Sequence, residues 1–487
     1  MQITDLQPRN VFGFFHQVTQ IPRPSKKEEK ILAFLVKFAQ DNGLEYKQDE
    51  AGNLVIRKPA TKGYENRETV ILQSHVDMVC EKNSDVEFNF DTDPIQTIVD
   101  GDWLRANGTT LGADNGIGVA TELAVLADTT LEHGPIECLF TIDEETGLTG
   151  AMNIKEGFVN GKILLNLDSE DEGEMFIGCA GGMGTLATFP YTLTPVDPGY
   201  FFFEVTVSGL KGGHSGGDIH VGLGNANKLL NRYLYRLLRQ VPEMRLISIA
   251  GGNLHNAIPR EAKAVLAVPA EYKENTRVWL NELDAAVKEE LKRVDAGVNF
   301  ALASAPASAQ GVDADTAKRL ILALYACPHG VMGMSHDIEG LVETSTNLAS
   351  VKMFEGNRIV VETSQRSSSE SLKEDVGHAV TAVFELAGAQ VSERDGYPGW
   401  APNPDSPILK VAVETYRKLF GKDPAVKAIH AGLECGLFLS KYPYLDMVSF
   451  GPTMRDVHSP AERLEIKTVD MFWKHLAEIL KNIPVAR

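Results

Sequence analysis

The stretch Thr69-Val-Ile-Leu-Gln-Ser-His75-Val-Asp77-Met is an apolar run that ends in a histidine and an aspartate two residues apart. Alternate side chains of an extended segment share a face, so His75 and Asp77 can point into one space beyond a strand end. An aspartate so placed can take the second ring N–H of a histidine and leave the other nitrogen for a metal ion. The ending recurs. Phe140-Thr-Ile-Asp143-Glu144-Glu145 and Leu164-Leu-Asn-Leu-Asp168 are apolar runs that stop in acids, and a strand at Asp446–Phe450 leads into Gly451-Pro-Thr-Met-Arg-Asp-Val-His458. Between such runs lie helical patterns, one beginning near Asn115 just after Gly112-Ala-Asp114. Strands alternating with helices predict a mainly parallel α/β sheet, and open sheets of that kind form their binding crevice beyond the strand ends.

Each element has a bland reading. A lone His-x-Asp is more often a hydrogen-bonded pair, an acidic run a solvated turn, and an aspartate before a helix an N-cap. Together, however, His75, Asp114, Glu145, Asp168 and His458 fall on strand ends or the loops after them. Two histidines with three carboxylates make a mixed nitrogen and oxygen set that suits two zinc-like ions, one carboxylate bridging. Such a site also needs an unligated acid to shuttle protons, and Glu144 stands beside Glu145.

The 487 residues exceed what one core usually organises. An N-terminal helix over Ser25–Phe38 is expected, with Ser25 and Glu28 as a capping box, followed by a hairpin turning near Gly52-Asn53. After residue 186 the texture changes, with Pro190, Pro195 and Pro198 preceding Phe201-Phe-Phe-Glu-Val-Thr-Val. A second Pro-rich stretch begins at Tyr397. The reading is an α/β catalytic domain built from 1–186 and 398–487, with an α+β domain inserted at 187–397. An internal duplication of the insert is an open reading, since Asn256-Ala-Ile-Pro with its following strand and helix loosely echoes Asn347-Leu-Ala-Ser with its own.

A formal charge of −19 argues against nucleic acid or an anionic membrane as partner. Five scattered cysteines without a Cys-x-x-Cys read as free thiols, and no signal peptide or run of roughly 20 apolar residues is present. The expectation is a cytoplasmic protein.

The motifs resemble the M20 family of metallopeptidases: His-x-Asp after a strand, Gly-Ala-Asp-Asn-Gly, Asp-Glu-Glu-x-Gly, a later strand-end Asp and a His near the C-terminus, in that order. The resemblance extends over nearly the whole chain, including Gly209-Leu-Lys-Gly-Gly-His214-Ser-Gly-Gly, Asn256-Ala-Ile-Pro-Arg-Glu-Ala and His430-Ala-Gly-Leu-Glu-Cys-Gly. It implies Asp114 as bridging ligand of two divalent ions, zinc first with cobalt or manganese as alternatives. It implies His75 and Asp168 as ligands of one ion and Glu145 and His458 of the other, with Glu144 as general base and Asp77 orienting His75. The insert becomes a lid carrying His214 to the scissile carbonyl, and Asn256, Arg366 and the Gly432 loop become candidates for the substrate carboxylate. The implied activity is hydrolysis of unblocked dipeptides, Xaa-His dipeptides and carnosine among them, by a homodimer joined through the lid. Because the insert is about twice the family's single lid unit, His214 could act from a second subunit or from within the chain. Rival readings are another M20 activity (tripeptidase, N-acyl amino-acid hydrolase or carboxypeptidase) and a metal-dependent binding protein without turnover.

Overall fold

The computed structural model describes residues 2–486, apart from the side chain of Asp395. The chain divides into two compact units, the first formed by Met1–Cys179, Pro402–Ala428 and Leu433–Arg487 and the second by Ala180–Ala401 and Ile429–Gly432. The breaks precede and follow those placed after 186 and 397. Gly181–Pro190, which contains the first proline of the Pro-rich stretch, is already a full strand of the second unit, and it pairs with Tyr397 through Gly182.

In the first unit eight strands lie in the order Glu45–Gln48, Leu54–Lys58, Ile136–Thr141, Val70–His75, Ile163–Asn166, Asp446–Ser449, Glu174–Cys179, Ala425–Ile429. Among the described pairings, the parallel ones join the four central strands from Ile136–Thr141 to Asp446–Ser449, and those described on either flank are antiparallel. Val70–His75 and Ile136–Thr141 are buried along their whole length, which is why both read as unbroken apolar runs rather than alternations. The helix Ala113–Ala127 is buried at all but two positions. Its apolar neighbours include Val11, Phe12 and Phe15 of the helix Arg9–Thr19.

The expected capping box does not form. The helix begins at Glu29, the Ser25 hydroxyl instead donates to Asp77 Oδ2 at 2.7 Å, and Glu28 Oε1 accepts from the backbone N–H groups of Lys26 and Asp143. Both side chains are recruited by the loops beneath His75 rather than by their own helix.

The second unit is built on an antiparallel sheet of nine strands. Eight run in the order Asn299–Ser304, Phe201–Ser208, Ala262–Val268, Arg245–Gly251, Val342–Phe354, Arg358–Ser367, Gly181–Pro190, Gln390–Tyr397, and Gly330–Met334 adds to Val342–Phe354. Helices Ala226–Gln240, Lys273–Leu291, Ala314–Ala326 and Glu370–Leu386 share one core with it, centred on Phe189, Phe203, Tyr233 and Phe384. The two stretches that echo each other in sequence differ in structure, Asn256 lying in a loop and Asn347 inside a strand.

Phe203 is fully buried in this core. Phe203→Ala is expected to cost about 3–5 kcal/mol, read as a lowered urea midpoint.

Candidate metal centre and substrate cavity

The C-terminal ends of four parallel strands, with the loops after them, and one helix start converge in the first unit. His75 is the last residue of its strand, Asp114 opens the helix Ala113–Ala127, Glu144 and Glu145 follow Ile136–Thr141, Asp168 follows Ile163–Asn166, and His458 lies in the loop beyond Asp446–Ser449. The two oxygens of Asp114 face two different histidines, Oδ1 lying 3.1 Å from His75 Nε2 and Oδ2 3.1 Å from His458 Nε2. Asp168 Oδ1 is 3.5 Å from His75 Nε2, and Glu145 Oε2 is 3.1 Å from His458 Nε2. Each histidine is thus flanked by Asp114 and by one further acid. His458 itself sits in the left-handed region at φ 60°, a conformation costing a non-glycine residue on the order of 1 kcal/mol.

Behind this layer, Asp77 is fully buried. Its Oδ1 lies 3.4 Å from His75 Nδ1 and accepts from Glu144 N at 3.1 Å, while Oδ2 accepts from Glu145 N at 3.2 Å. One carboxylate therefore registers both the His75 ring and the Glu144–Glu145 turn. Burial opposes its charge, but the hydrogen bonds from His75, Ser25 and Glu144 hold it down at about 2.

Two buried groups absent from the motif reading fasten the Asp114 loop. Glu462 receives the N–H groups of Leu111 (2.7 Å), Gly112 (3.0 Å), Ala113 (2.7 Å) and Asp114 (3.4 Å). Arg23 donates to the carbonyls of Val76 (2.9 Å), Asp77 (2.7 Å) and Gly112 (2.5 Å). Gly112 has φ 67°, and a Cβ there would come within 2.5 Å of Arg23 Nη2, so only glycine fits. One strand repeat below His75 and Asp168 runs a buried polar chain. Glu434 accepts from Gln73 Nε2 (2.6 Å) and the Thr141 hydroxyl (2.9 Å), and Gln73 in turn accepts from Asn166 Nδ2 (2.6 Å).

The acids crowd one another. Burial, and then repulsion from Asp168, Glu434 and Glu145, lifts Glu144 well above the usual carboxylate range despite the nearby His75. Burial and Asp114 push Asp168 to about 6, also against His75. Conversely, contacts with Asp114 and Glu145 raise His458 to about 11. Such a place retains positive charge, which a divalent cation supplies better than protons do. The donor set fits: His75, Asp114 and Glu145 offer ligand atoms all within 4.8 Å of one another, and Glu145 Oε1 is buried with no hydrogen-bond partner in the protein. A second acid group, Glu28, Asp77 and Asp143, is equally close, but its oxygens are engaged by backbone N–H groups and hydroxyls.

The second unit brings His214, Asn256, Arg366 and Gly432 together by a separate route. Arg366 and Asn256 line a cavity of about 640 Å³. The Arg366 guanidinium donates to the Tyr397 hydroxyl at 2.8 Å and lies 3.5 Å from His214 Nε2. It forms no ion pair among the described residues, and its Nε is buried without a partner. His214 Nδ1 accepts from the backbone N–H groups of Gly216 (3.3 Å) and Gly217 (3.0 Å), which fixes the neutral ring with its proton on Nε2. Burial and the Arg366 charge lower its pKa and keep it neutral. At Gly432, a Cβ would meet the Tyr397 ring at 2.8 Å. Gly432 thus borders the tyrosine that holds Arg366.

The sequence model of Peptidase family M20/M25/M40 matches residues 71–482. The chain belongs to this family. The cytosol non-specific dipeptidase of Escherichia coli (strain K12) is 43% identical over 483 residues, 99% of each chain. Aminoacylhistidine dipeptidase from Vibrio alginolyticus has a crystal structure that superposes with a TM-score of 0.93 at 44% identity, covering 100% of this chain and 99% of that one. A tripeptidase from Staphylococcus aureus, 17% identical with a TM-score of 0.57 over 98% of this chain and 99% of that one, shares the fold. No helix among the described residues of this M20 member is long and apolar enough to cross a membrane.

Glu462 holds the Asp114 loop and, among the described residues, forms no hydrogen bond or ion pair with either histidine. Glu462→Ala is expected to weaken metal retention at least tenfold in competition with a chelator, since up to four buried N–H groups lose their acceptor. Unaltered retention would show that the Asp114 loop holds itself.

Proposed function

We propose that the chain is a dinuclear metal-dependent dipeptidase that hydrolyses the peptide bond of unblocked dipeptides, Xaa-His and carnosine among them. The observation that carries the reading is Asp114, with one oxygen 3.1 Å from each of two histidine nitrogens. The likeness in sequence and structure to a cytosol non-specific dipeptidase and an aminoacylhistidine dipeptidase supports the choice of substrate.

In this reading His75, Asp168 and one oxygen of Asp114 would hold one ion, and His458, Glu145 and the other oxygen the second, with zinc the first choice and cobalt or manganese suiting the same donors. Bound there, the ions supply Lewis acidity that lowers the pKa of a water and polarises the scissile carbonyl. Glu144 is the general base, taking the proton of the attacking water and passing it to the leaving amine. Its backbone N–H is fixed by Asp77, which also fixes His75, so base and ligand share one anchor. The His214 Nε2–H is the donor for the developing oxyanion. Arg366, a buried guanidinium without an acid partner among the described residues, receives the dipeptide's free carboxylate, with Asn256 and the Gly432 loop beside it.

Metal content and carnosine hydrolysis, measured side by side for the native protein and Glu144→Ala, test the core of the reading. Both are expected to bind about two ions while only the native protein releases histidine. A variant that still turns over removes Glu144 from the role of base. For Arg366, amidation of the dipeptide's C-terminus is expected to hurt the native enzyme far more than Arg366→Ala. Equal losses in both would refute the assignment.

A further inference from the structure

The Arg366 guanidinium and the His214 ring present two hydrogen-bond donors side by side, Nη2 of one lying 3.5 Å from Nε2 of the other. Neither can serve the other, because the His214 proton stands on Nε2 and a guanidinium has no acceptor. Both are held from behind. His214 accepts at Nδ1 from the N–H groups of Gly216 and Gly217, and its own backbone N–H donates to Asp218 Oδ2 at 2.8 Å. The next N–H, of Ser215, donates to the Asn256 carbonyl at 2.8 Å. Arg366 donates from Nη1 to the Tyr397 hydroxyl, and its Nε is buried. Gly216 adjoins both side chains, since a Cβ there would stand 3.1 Å from His214 Cε1 and 3.2 Å from Arg366 Cδ. All of these residues belong to the second unit, so the spacing of the two donors is built into one folded body.

We infer that this pair measures the backbone of the substrate's C-terminal residue, admitting an α-amino acid there and rejecting a β-amino acid. The inference rests on the reading in which Arg366 takes the carboxylate and His214 the oxyanion. A guanidinium fork can hold both oxygens of a carboxylate by itself. The His214 N–H is then left for the next acceptor along the substrate, which is the oxygen of the scissile carbonyl. With an α-amino acid, only the amide nitrogen and the α-carbon lie between the carbonyl carbon and the carboxylate carbon. A β-amino acid inserts a methylene, and with it a further bond of about 1.5 Å. Seated on Arg366, such a substrate carries its carbonyl past His214, and a misplacement of about 1 Å can cost about 10²-fold in rate. The N-terminal residue lies beyond the carbonyl and is not measured, so an α- or a β-amino group is accepted there.

The rest of the cavity leaves this spacing untouched. It continues along Arg358–Ser367 past Ser364 to Glu362, about 13 Å along the strand from Arg366. Glu393 opposes Thr185, three positions from the Gly182 that Arg366 opposes, or about 10 Å along the sheet. Glu362 is paired with Arg394, and neither acid forms an ion pair with Arg366 among the described residues.

Three isomers test the inference, Ala-Ala, β-Ala-Ala and Ala-β-Ala, which differ in the side of the scissile bond that carries the extra backbone carbon. Metal-loaded native protein is expected to cleave the first two with kcat/KM within about tenfold of each other, and Ala-β-Ala about 10²-fold more slowly. Tyr397→Phe keeps the ring but frees Arg366 to shift, so the ratio of Ala-Ala to Ala-β-Ala should fall about tenfold. His214→Ala should lower kcat on Ala-Ala with KM little changed. Ala-β-Ala cleaved as well as Ala-Ala, β-Ala-Ala as poor as Ala-β-Ala, or an unchanged ratio in Tyr397→Phe would overturn the inference. A raised KM with kcat retained in His214→Ala would show that both donors hold the carboxylate, and would overturn it too. Should the native protein hydrolyse none of the three, the dipeptidase reading falls on its own. Calorimetry then decides the spacing, with N-acetyl-L-alanine expected to bind about tenfold tighter than N-acetyl-β-alanine, and equal affinities refuting it.

Discussion

Asp114 is a carboxylate with a histidine on each oxygen, and much of the first unit is arranged to keep it there. Buried acids repel one another, so a cluster of them at strand ends persists only when positive charge and hydrogen-bond donors surround it. The protein supplies the donors through its backbone. Glu462 gathers the N–H groups of the Asp114 loop, Arg23 holds its carbonyl side, and Asp77 takes the N–H groups of Glu144 and Glu145. Glu462 and Arg23 thus set the Asp114 loop through peptide groups, while Asp77 sets the Glu144–Glu145 turn and also faces His75. The positive charge is left to the two histidines and to what they would bind.

That division explains what the sequence made legible. His75, Asp114, Glu145, Asp168 and His458 stand out because each interrupts an apolar or glycine-rich run with a residue that has no business in a dry core. Arg23, Glu434 and Glu462 give no such signal. Arg23 sits between prolines in a polar segment, and Glu462 resembles an ordinary acid ahead of the final helix. Their importance lies in backbone groups contributed from far along the chain, which side-chain patterns do not encode. Ser25 and Glu28 mislead for the converse reason. Their spacing satisfies the local rule for a helix start, but buried donors and acceptors around Asp77 outcompete it.

In the second unit a strand and a helix are legible after Asn256 and again after Asn347, whereas the helices Ala226–Gln240 and Ala314–Ala326 and the polar face around Arg366 are not. Asn347 and Ser364 are ordinary residues in polar stretches until strand register sets them opposite each other. Tyr397 reads as the start of a Pro-rich stretch at the domain boundary, and in the structure it closes the sheet against Gly182 and holds Arg366. Register is a long-range property fixed by the whole sheet, so single-sequence reasoning reached Arg366 only through the family resemblance.

The strand Asp446–Ser449 lies between Ile163–Asn166 and Glu174–Cys179 in the first sheet, and His458 and Glu462 follow within the next few residues. During synthesis the sheet therefore stays split, and the Asp114 loop lacks both its second histidine and its carboxylate anchor, until the last few dozen residues have left the ribosome. A nascent chain of this protein presents Glu144 and Glu145 long before His458 and Glu462 can join them. The cluster around Asp114 is thus completed from the C-terminal side of the sheet, after every other member is already in place.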